Sequence, residues 1–253
     1  MKSKPISRYI RFGTGLRYLQ DADEGDNVHG QNHIINIINS LFLSFDEFDM
    51  PVTKRAALPL QKFRDKLAKS EPGHKLTSDE ASKLNVLMNH IRKTLFAEAG
   101  GKVVFIVTDK RIDADKLLSN VSALMAPGVF DSLSSIARYD FEEAGKSIAF
   151  ELPTAAAYHL LRGTEAVLRD FYCSKVRRGR CQLMWGPMVS SLRGRRRPPP
   201  AVLLDNLDNI RLSFRNPTQH PDKTYDIDEV QDLFGLCVDV VNRMAASFAL
   251  PNA

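Results

Sequence analysis

Apolar residues recur three and four positions apart over most of the 253-residue chain. This spacing places them on one face of an α-helix and therefore predicts amphipathic helices. The segments that show it are 28–48, 60–69, 84–95, 112–125, 130–144, 153–175, 201–214 and 230–244. The pattern predicts a mainly α protein.

One short segment departs from the helical pattern. Residues 102–108 form a continuous run rich in β-branched side chains, which is typical of a strand. A single strand needs a partner, which residues 9–19 or a second subunit would supply. We therefore expect a smaller N-terminal α+β portion, residues 1–127, followed by a C-terminal helical bundle, residues 128–253.

Several helix ends are marked by their residue types. Thr77 followed by Glu80 is typical of an N-terminal capping box, and Gly100 after an apolar stripe favours a helix end. Pro153 suits the first turn of a helix. Residues 1–27 contain Gly13, Gly15 and an acidic run, residues 21–26, and we interpret them as an irregular loop or a mobile arm.

Composition narrows the class of protein. The net charge of +5 and the pI of about 9.1 slightly favour a polyanionic partner. Three cysteines without metal-ligand spacing favour buried or incidental thiols in a reducing compartment. The first residues lack the apolar core of a signal peptide, and no apolar run approaches the roughly 18 residues that span a bilayer. We expect a soluble, cytoplasmic protein with no membrane contact.

Neither a metal nor a cofactor is predicted. His29 and His33 are four residues apart, which suits a metal ion on a helix, but no third ligand lies near them in the sequence. Residues 1–127 contain no glycine-rich phosphate loop and no nucleophile motif. We interpret this region as a scaffold, a sensing segment or a dimerisation segment.

The candidate chemistry lies in residues 215–220, Arg-Asn-Pro-Thr-Gln-His, between two predicted helices. The Arg215 guanidinium offers a planar fork for phosphate oxygens, and His220 can exchange a proton near neutral pH. Pro217 and Pro221 both oppose an unbroken helix, so we expect a loop in which Arg215 and His220 converge. The alternative is that Arg215 pairs with a nearby Asp and His220 caps a helix end.

Residues 215–220 resemble the Arg-x4-6-His motif of the HEPN superfamily, in which the position after the arginine is usually polar, as Asn216 is here. The segment 152–165 resembles the early HEPN helix that often carries an acidic residue. The resemblance covers roughly residues 128–248 and implies a helical bundle with the motif between its last helices. It also implies a metal-independent, dimeric endoribonuclease that leaves 2′,3′-cyclic phosphate ends.

The resemblance assigns a role to each candidate site residue. Arg215 would stabilise the phosphate, His220 would transfer the proton, and Asn216 and Glu165 would support them. Two alternatives stay open for Glu165. It forms ion pairs within its helix, with the arginines three residues before and four residues after it, or it is a buried carboxylate that orients Arg215 or His220.

A basic segment, residues 175–200, contains no carboxylate. A local excess of positive charge repels itself unless an anion relieves it, so we predict contact with RNA here rather than a solvated loop. The predicted RNA-binding residues are Arg177, Arg178, Arg180, Arg193, Arg195, Arg196 and Arg197. Trp185 would either stack on a base or pack onto the bundle, and we favour packing.

These observations favour an endoribonuclease that acts on RNA, with tRNA among the candidates, and the resemblance implies that it pairs with a second copy of the chain. The HEPN resemblance adds a role in phage defence or toxin–antitoxin control, with an antitoxin or a defence-system partner. The main alternative is a non-catalytic HEPN module that binds RNA, a nucleotide or a protein. A third hypothesis is a structural helical adaptor whose basic loop binds an acidic protein.

Overall fold

A computed structural model describes residues 4–176, 184–220 and 223–249. The chain divides into two compact units, Met1–Phe105 and Ile106–Ala253. This division falls before the predicted boundary between residues 127 and 128. Leu117, Val121 and Met125 belong to the core of the second unit, which explains why the segment that contains them is part of it.

The first unit is helical, with one apolar core between its helices. The helices are α1 (Ile6–Gln20), α2 (Ile34–Glu47), α3 (Pro51–Ala56), α4 (Leu58–Leu67) and α5 (Ser78–Ala99). The predicted capping box at the start of α5 is confirmed. The Glu80 N–H donates to Thr77 Oγ1 at 3.3 Å, and the Thr77 N–H donates to the Glu80 carboxylate at 3.2 Å.

The prediction of an irregular arm at the N-terminus is wrong, because most of it forms α1. This helix packs against α2 and α5. A Cβ atom at Gly15 would lie 3.5 Å from Ile37 Cγ2, so the small residue lies where α1 meets α2. Phe12 makes edge contacts with Phe45 and Phe48. Burial of the α1 face thus outweighs the weak helix propensity of its glycines.

The predicted strand at residues 102–108 does not form. Across the described residues there are no strands, and Asn27 and Lys75 form the isolated β-bridge of the first unit. The side chains at positions 103–106 are 71–82% exposed. The expected partner segment, residues 9–19, lies within α1 and has no free backbone groups to pair with. The α+β prediction for the N-terminal portion is therefore not supported.

The second unit is also helical and contains the larger core. Its helices are α6 (Ala114–Ser119), α7 (Val129–Ser132), α8 (Ser135–Ala149), α9 (Pro153–Lys175), α10 (Trp185–Arg193), α11 (Ala201–Ile210), α12 (Asn216–Thr218) and α13 (Ile227–Ala249). A 3-10 turn, Val121–Leu124, follows α6. The prediction of a mainly α protein is confirmed.

Helix α9 is central to the second unit and packs against α8, α10 and α13. It begins at Pro153, as predicted. Gly163 allows α9 to approach α8, since a Cβ atom there would lie 3.1 Å from Asp140 Cβ. Trp185 is buried, and its Nε1 donates to the Leu207 carbonyl at 3.1 Å. The prediction that this tryptophan packs onto the bundle is confirmed.

In the part of the chain that the structure describes, no helix combines the length and apolar character that a bilayer span requires. Among the same residues, no group of His, Cys, Asp and Glu side chains is arranged to hold a metal ion. His29 and His33 precede α2 rather than sharing one of its faces, and His29 Nε2 lies 2.9 Å from Ser70 Oγ.

Candidate functional site

The helix that carries Arg215 does not end at this residue. Helix α11 continues into a π-helical turn, Arg211–Arg215, and then directly into α12. The sequence predicted a proline-broken loop here, and that prediction is wrong. The chain stays helical through Thr218, so Arg215 lies within the last turns of the helix and His220 lies just beyond its end.

The π-helical turn explains why Pro217 does not break the helix. The Asn216 N–H bonds to the Arg211 carbonyl, five residues earlier. In a regular α-helix the ring of Pro217 would press on the carbonyl of Ser213, four residues earlier. The extra residue in the π-helical turn changes which backbone carbonyl lies opposite the Pro217 ring. Such turns occur frequently at functional sites.

Two hydroxyl groups fix the end of this helix. The Phe214 carbonyl accepts hydrogen bonds from Thr218 Oγ1 at 2.6 Å and from the Tyr225 hydroxyl at 3.2 Å. The Tyr225 N–H donates to Thr154 Oγ1 at 3.3 Å, which connects this end to the start of α9. Burial raises the pKa of Tyr225 above its ordinary value, so its hydroxyl remains a donor at neutral pH.

Glu165 connects Arg215 to α9. Its Oε2 lies 3.5 Å from Arg215 Nη2, and its Oε1 accepts a hydrogen bond from Arg169 Nη2 at 2.6 Å. The Glu165 side chain is only 14% exposed, so its charge requires such partners. Glu165 therefore forms one ion pair within its own helix and one contact with a residue of another helix. It pairs with the arginine four residues after it and with Arg215, whereas the arginine three residues before it points elsewhere.

The acidic residues that follow the motif are engaged in other contacts. Asp226 accepts the Glu229 N–H at 2.7 Å and thereby caps α13. Asp228 forms an ion pair with Arg111 at 3.2 Å. Pro221 and Asp222 lie outside the described residues. Within the described residues the ion-pair partner of Arg215 is therefore Glu165 rather than an Asp beside the motif.

His220 follows the helix end, where its N–H donates to the Pro217 carbonyl at 3.0 Å. Its side chain is exposed, and among the described residues it has no hydrogen-bond or ion-pair partner, Arg215 included. The Asn216 side chain likewise makes no hydrogen bond to that part of the chain. The structure thus joins Arg215 to Glu165 directly, and no described residue hydrogen-bonds the imidazole or the amide.

A second group of polar side chains, which sequence analysis missed, joins α8 to α9. Asp140 is completely buried, and its oxygens accept hydrogen bonds from Arg162 Nε at 2.9 and 2.8 Å and from Arg162 Nη2 at 2.5 Å. His159 Nδ1 lies 2.9 Å from Asp140 Oδ1. Asp140 belongs to the same stripe as Phe141 and Ala144. A carboxylate within an apolar stripe is the sequence feature that would have revealed it.

Only some of the described arginines in the basic segment, residues 175–200, lack an ion-pair partner among the described residues. Arg193 pairs with Asp205 at 2.8 Å and with Asp208 at 3.0 Å, so its charge is already balanced. Three arginines are exposed and form no ion pair with the described residues: Arg195, Arg196 and Arg197. The remaining predicted RNA contacts lie outside the described residues: Arg177, Arg178 and Arg180.

The chemistry available where α12 ends is anion binding and proton transfer. Arg215 supplies guanidinium donors, and His220, five residues later, carries an exposed imidazole. Burial raises the pKa of Cys237 to about 12, so its thiol stays protonated near neutral pH. No known protein family, curated protein sequence or solved structure matches the chain.

Proposed function

We propose that the protein is a metal-independent endoribonuclease of the HEPN type. One observation carries the proposal. A guanidinium, Arg215, is anchored on one edge by Glu165, and five residues later the exposed imidazole of His220 has no partner among the described residues. A guanidinium held on one edge keeps further N–H groups for a phosphate. A free imidazole keeps both ring nitrogens for substrate.

The reaction is a transesterification within the RNA backbone. His220 takes the proton of a 2′-hydroxyl, and the 2′-oxygen attacks the adjacent phosphorus. The bond from phosphorus to the 5′-oxygen breaks, and the leaving oxygen receives the proton from His220. The products are a 2′,3′-cyclic phosphate and a 5′-hydroxyl, without consumption of water. Arg215 stabilises the charge that develops on the phosphate oxygens.

The remaining site residues have supporting roles in this proposal. Glu165 positions Arg215 from α9, and Asn216 hydrogen-bonds a phosphate oxygen or the imidazole. The exposed arginines after α10 contact phosphates away from the cleaved bond, which makes RNA affinity salt-dependent. Those arginines are Arg195, Arg196 and Arg197.

The cellular setting follows the resemblance to HEPN proteins. We propose a cytoplasmic homodimer in which two copies of the motif share one cleft, with RNA, including tRNA, as the substrate. Phage defence or toxin–antitoxin control is the corresponding role, with an antitoxin or a defence-system protein as partner. Light scattering on the purified chain tests the dimer, and a monomeric mass at micromolar concentration would contradict it.

The test of the reaction is cleavage of total tRNA and of a long single-stranded RNA in the presence of EDTA. The wild type is compared with Arg215→Ala and His220→Ala. Two control variants remove the same chemical groups elsewhere. Arg243→Ala removes a guanidinium that is paired with Asp239, and His90→Ala removes an exposed imidazole on α5.

Cleavage by the wild type and both control variants, with loss in both site variants, is the expected result. The 5′ fragments should carry 2′,3′-cyclic phosphates. Equal cleavage by all five proteins would overturn the assignment of Arg215 and His220. Absence of cleavage by the wild type would overturn the proposed reaction on these substrates.

A second candidate function is RNA binding without cleavage. It is favoured by the three exposed arginines that have no ion pair among the described residues, Arg195, Arg196 and Arg197. In this case the RNA affinity falls steeply with salt concentration, and His220→Ala binds as the wild type does. The cleavage assay separates the two functions, because a binding module leaves the RNA intact.

A further inference from the structure

A row of exposed side chains runs along one face of α5 in the first unit. The row consists of Asn85, Asn89, Arg92 and Phe96. These residues are spaced four, three and four positions apart, so they lie one above another on the helix surface. The apolar stripe of α5 is a separate face, because its residues are buried in the core of the first unit. The row is therefore accessible to a ligand.

Hydrogen bonds fix the orientation of the two asparagine side chains. Asn85 Nδ2 donates to the Gln20 carbonyl at 3.1 Å, and Asn85 Oδ1 accepts from Asn89 Nδ2 at 2.7 Å. Because a backbone carbonyl can only accept, this chain of bonds assigns nitrogen and oxygen in both amides. Asn89 keeps its Oδ1 and one N–H for a ligand. An oriented amide of this kind matches the edge of an unpaired base, which carries donors and acceptors side by side.

Arg92 and Phe96 form a platform at the C-terminal end of the row. The guanidinium carbon of Arg92 lies 5.7 Å from the centroid of the Phe96 ring. The Phe96 residue is 66% exposed, and Arg92 forms no ion pair with the described residues. An aromatic ring in water gains free energy when a partner covers it. Bases of single-stranded RNA stack on aromatic rings and on guanidinium planes.

The charge around the row favours an anionic partner. Residues 81–97 contain no Asp or Glu. The next carboxylate, Glu98, is engaged by α3, where it accepts the N–H groups of Val52 at 3.0 Å and Thr53 at 2.7 Å. The first unit contains 16 Lys and Arg against 12 Asp and Glu, so it carries four of the five net positive charges of the chain. A basic surface of this kind attracts a polyanion.

The row fits a nucleic acid better than an anionic membrane. A helix that binds a membrane surface buries a continuous apolar face in the lipid. The apolar stripe of α5 already packs in the core of the first unit, so it is not available for lipid. A single strand of RNA instead requires an aromatic ring, a cation and hydrogen-bonding groups in one row, and all three are present here.

We propose that this row of α5 binds single-stranded RNA. One base stacks on Phe96, the Arg92 guanidinium contacts a phosphate, and Asn89 hydrogen-bonds the edge of a neighbouring base. The inference rests on RNA as the ligand in the function proposed above, and it makes the first unit an RNA-docking unit. His90 lies outside the row, since it precedes Phe96 by six residues and therefore points about 120° away around the helix axis.

The experiment measures RNA binding by the full chain. Fluorescence anisotropy of a labelled oligouridylate is recorded as protein and salt are varied. His220→Ala is the background for every variant, so that the proposed cleavage cannot shorten the RNA. Phe96→Leu removes the aromatic plane and keeps an apolar side chain, whereas Phe96→Tyr keeps the plane. The comparison of these two variants isolates stacking.

Two further pairs of variants separate the row from the rest of the first unit. Arg92→Ala is compared with Arg55→Ala, because both arginines are exposed and neither forms an ion pair with the described residues. Asn89→Ala is compared with Asn36→Ala on α2. The Asn36 side chain is also exposed and also donates one N–H within the chain, to the Gln31 carbonyl at 3.4 Å.

We expect Phe96→Leu to weaken RNA binding by about tenfold, the effect of losing one stacked base, and Phe96→Tyr to bind as the background does. Arg92→Ala should lower the slope of log affinity against log salt concentration by about 0.7, the value for one phosphate contact with a single strand. Asn89→Ala should weaken binding by about three- to tenfold, the effect of one hydrogen bond. Arg55→Ala and Asn36→Ala should leave the slope and the affinity unchanged.

The proposal is overturned if the background protein does not bind the RNA, or if Phe96→Leu binds it as tightly as Phe96→Tyr. The same variants are tested on phosphatidylserine vesicles and on polyglutamate. Binding that depends on Phe96 with one of these, but not with RNA, would overturn the proposal in favour of a membrane or an acidic protein. The two proposals fail separately. Cleavage with RNA binding that is insensitive to the row retains the ribonuclease alone, whereas row-dependent binding without cleavage retains the docking face alone.

Discussion

The Arg215 guanidinium lies 3.5 Å from the Glu165 carboxylate, although 50 positions separate the two residues in the chain. This contact connects the π-helical turn to the central helix of the second unit. Because Glu165 also binds Arg169, one mostly buried carboxylate holds two guanidinium groups. The proposed phosphate-binding group is therefore positioned by a charge on another helix rather than by its own loop.

Replacing this charge by an amide tests the positioning role. We expect Glu165→Gln to slow RNA cleavage by about 10- to 100-fold, since a small misplacement of a substrate-binding group has effects of this size. Single-turnover cleavage rates are the measurement. Asp239→Asn, which removes the carboxylate of the Arg243 pair, is the control and should leave the rate unchanged. A cleavage rate for Glu165→Gln equal to that of the wild type would contradict the role.

The buried Asp140 makes Arg162 far more important for stability than its exposure suggests. Arg162→Ala leaves a completely buried carboxylate with His159 alone, and we expect a loss of about 3–5 kcal/mol in the free energy of unfolding. Arg243→Ala breaks a surface ion pair and should cost at most about 1 kcal/mol. Urea denaturation of both variants gives the comparison. Similar losses in the two would mean that Asp140 does not need the guanidinium.

Sequence analysis correctly predicted the elements that depend on residues close to one another in the chain. The capping box at Thr77 and the helix start at Pro153 depend on residues within one turn, and both are observed. The mainly α class follows from helical periodicity over long segments. The burial of Trp185 was also predicted, since a large apolar ring inside a helical bundle gains most by packing.

The features that sequence analysis missed depend on contacts between distant residues. Residues 102–108 have the composition of a strand, but a strand forms only where another segment offers backbone groups. Arg162 lies three residues from Glu165, yet it binds Asp140 on the neighbouring helix. The π-helical turn at Arg215 reconciles Pro217 with a continuing helix, and no pattern of residue types in the chain indicates it.

A glycine on α8 should be intolerant of any side chain. A Cβ atom at Gly145 would lie 2.5 Å from the Leu117 carbonyl oxygen and 2.8 Å from Val121 Cγ2, so Gly145→Ala forces α6 away from α8. We expect a loss of about 1–3 kcal/mol in stability or more, as for other overpacked cores. Thermal and urea denaturation measure it.

The matched substitution for Gly145→Ala is Gly235→Ala on α13. Nothing lies within 4 Å of the Cβ position of Gly235. This variant should gain up to about 1 kcal/mol, because alanine is the better helix former. If Gly145→Ala were as stable as Gly235→Ala, the close packing of α6 on α8 would be wrong.

The buried thiol of Cys237 should make the fold sensitive to alkaline pH. Burial raises its pKa to about 12 from an ordinary value of 9.0. Between these values the unfolded chain releases the proton and the folded chain keeps it. The free energy of unfolding therefore falls as pH rises above 9, by up to about 1.4 kcal/mol per pH unit for this one group.

The variant that isolates this group is Cys237→Ala, compared with the wild type by urea denaturation at pH 8, 9 and 10 under reducing conditions. Loss of the sulfur lowers stability by an amount that does not depend on pH, whereas the alkaline titrations of groups distant from Cys237 affect both proteins equally. The difference between the two proteins should therefore shrink by only about 0.4 kcal/mol from pH 8 to 9 and by about 1 kcal/mol from pH 9 to 10, because half of the unfolded thiols are ionised at pH 9. Parallel curves over the whole range would show that water reaches Cys237 and that its thiol titrates normally.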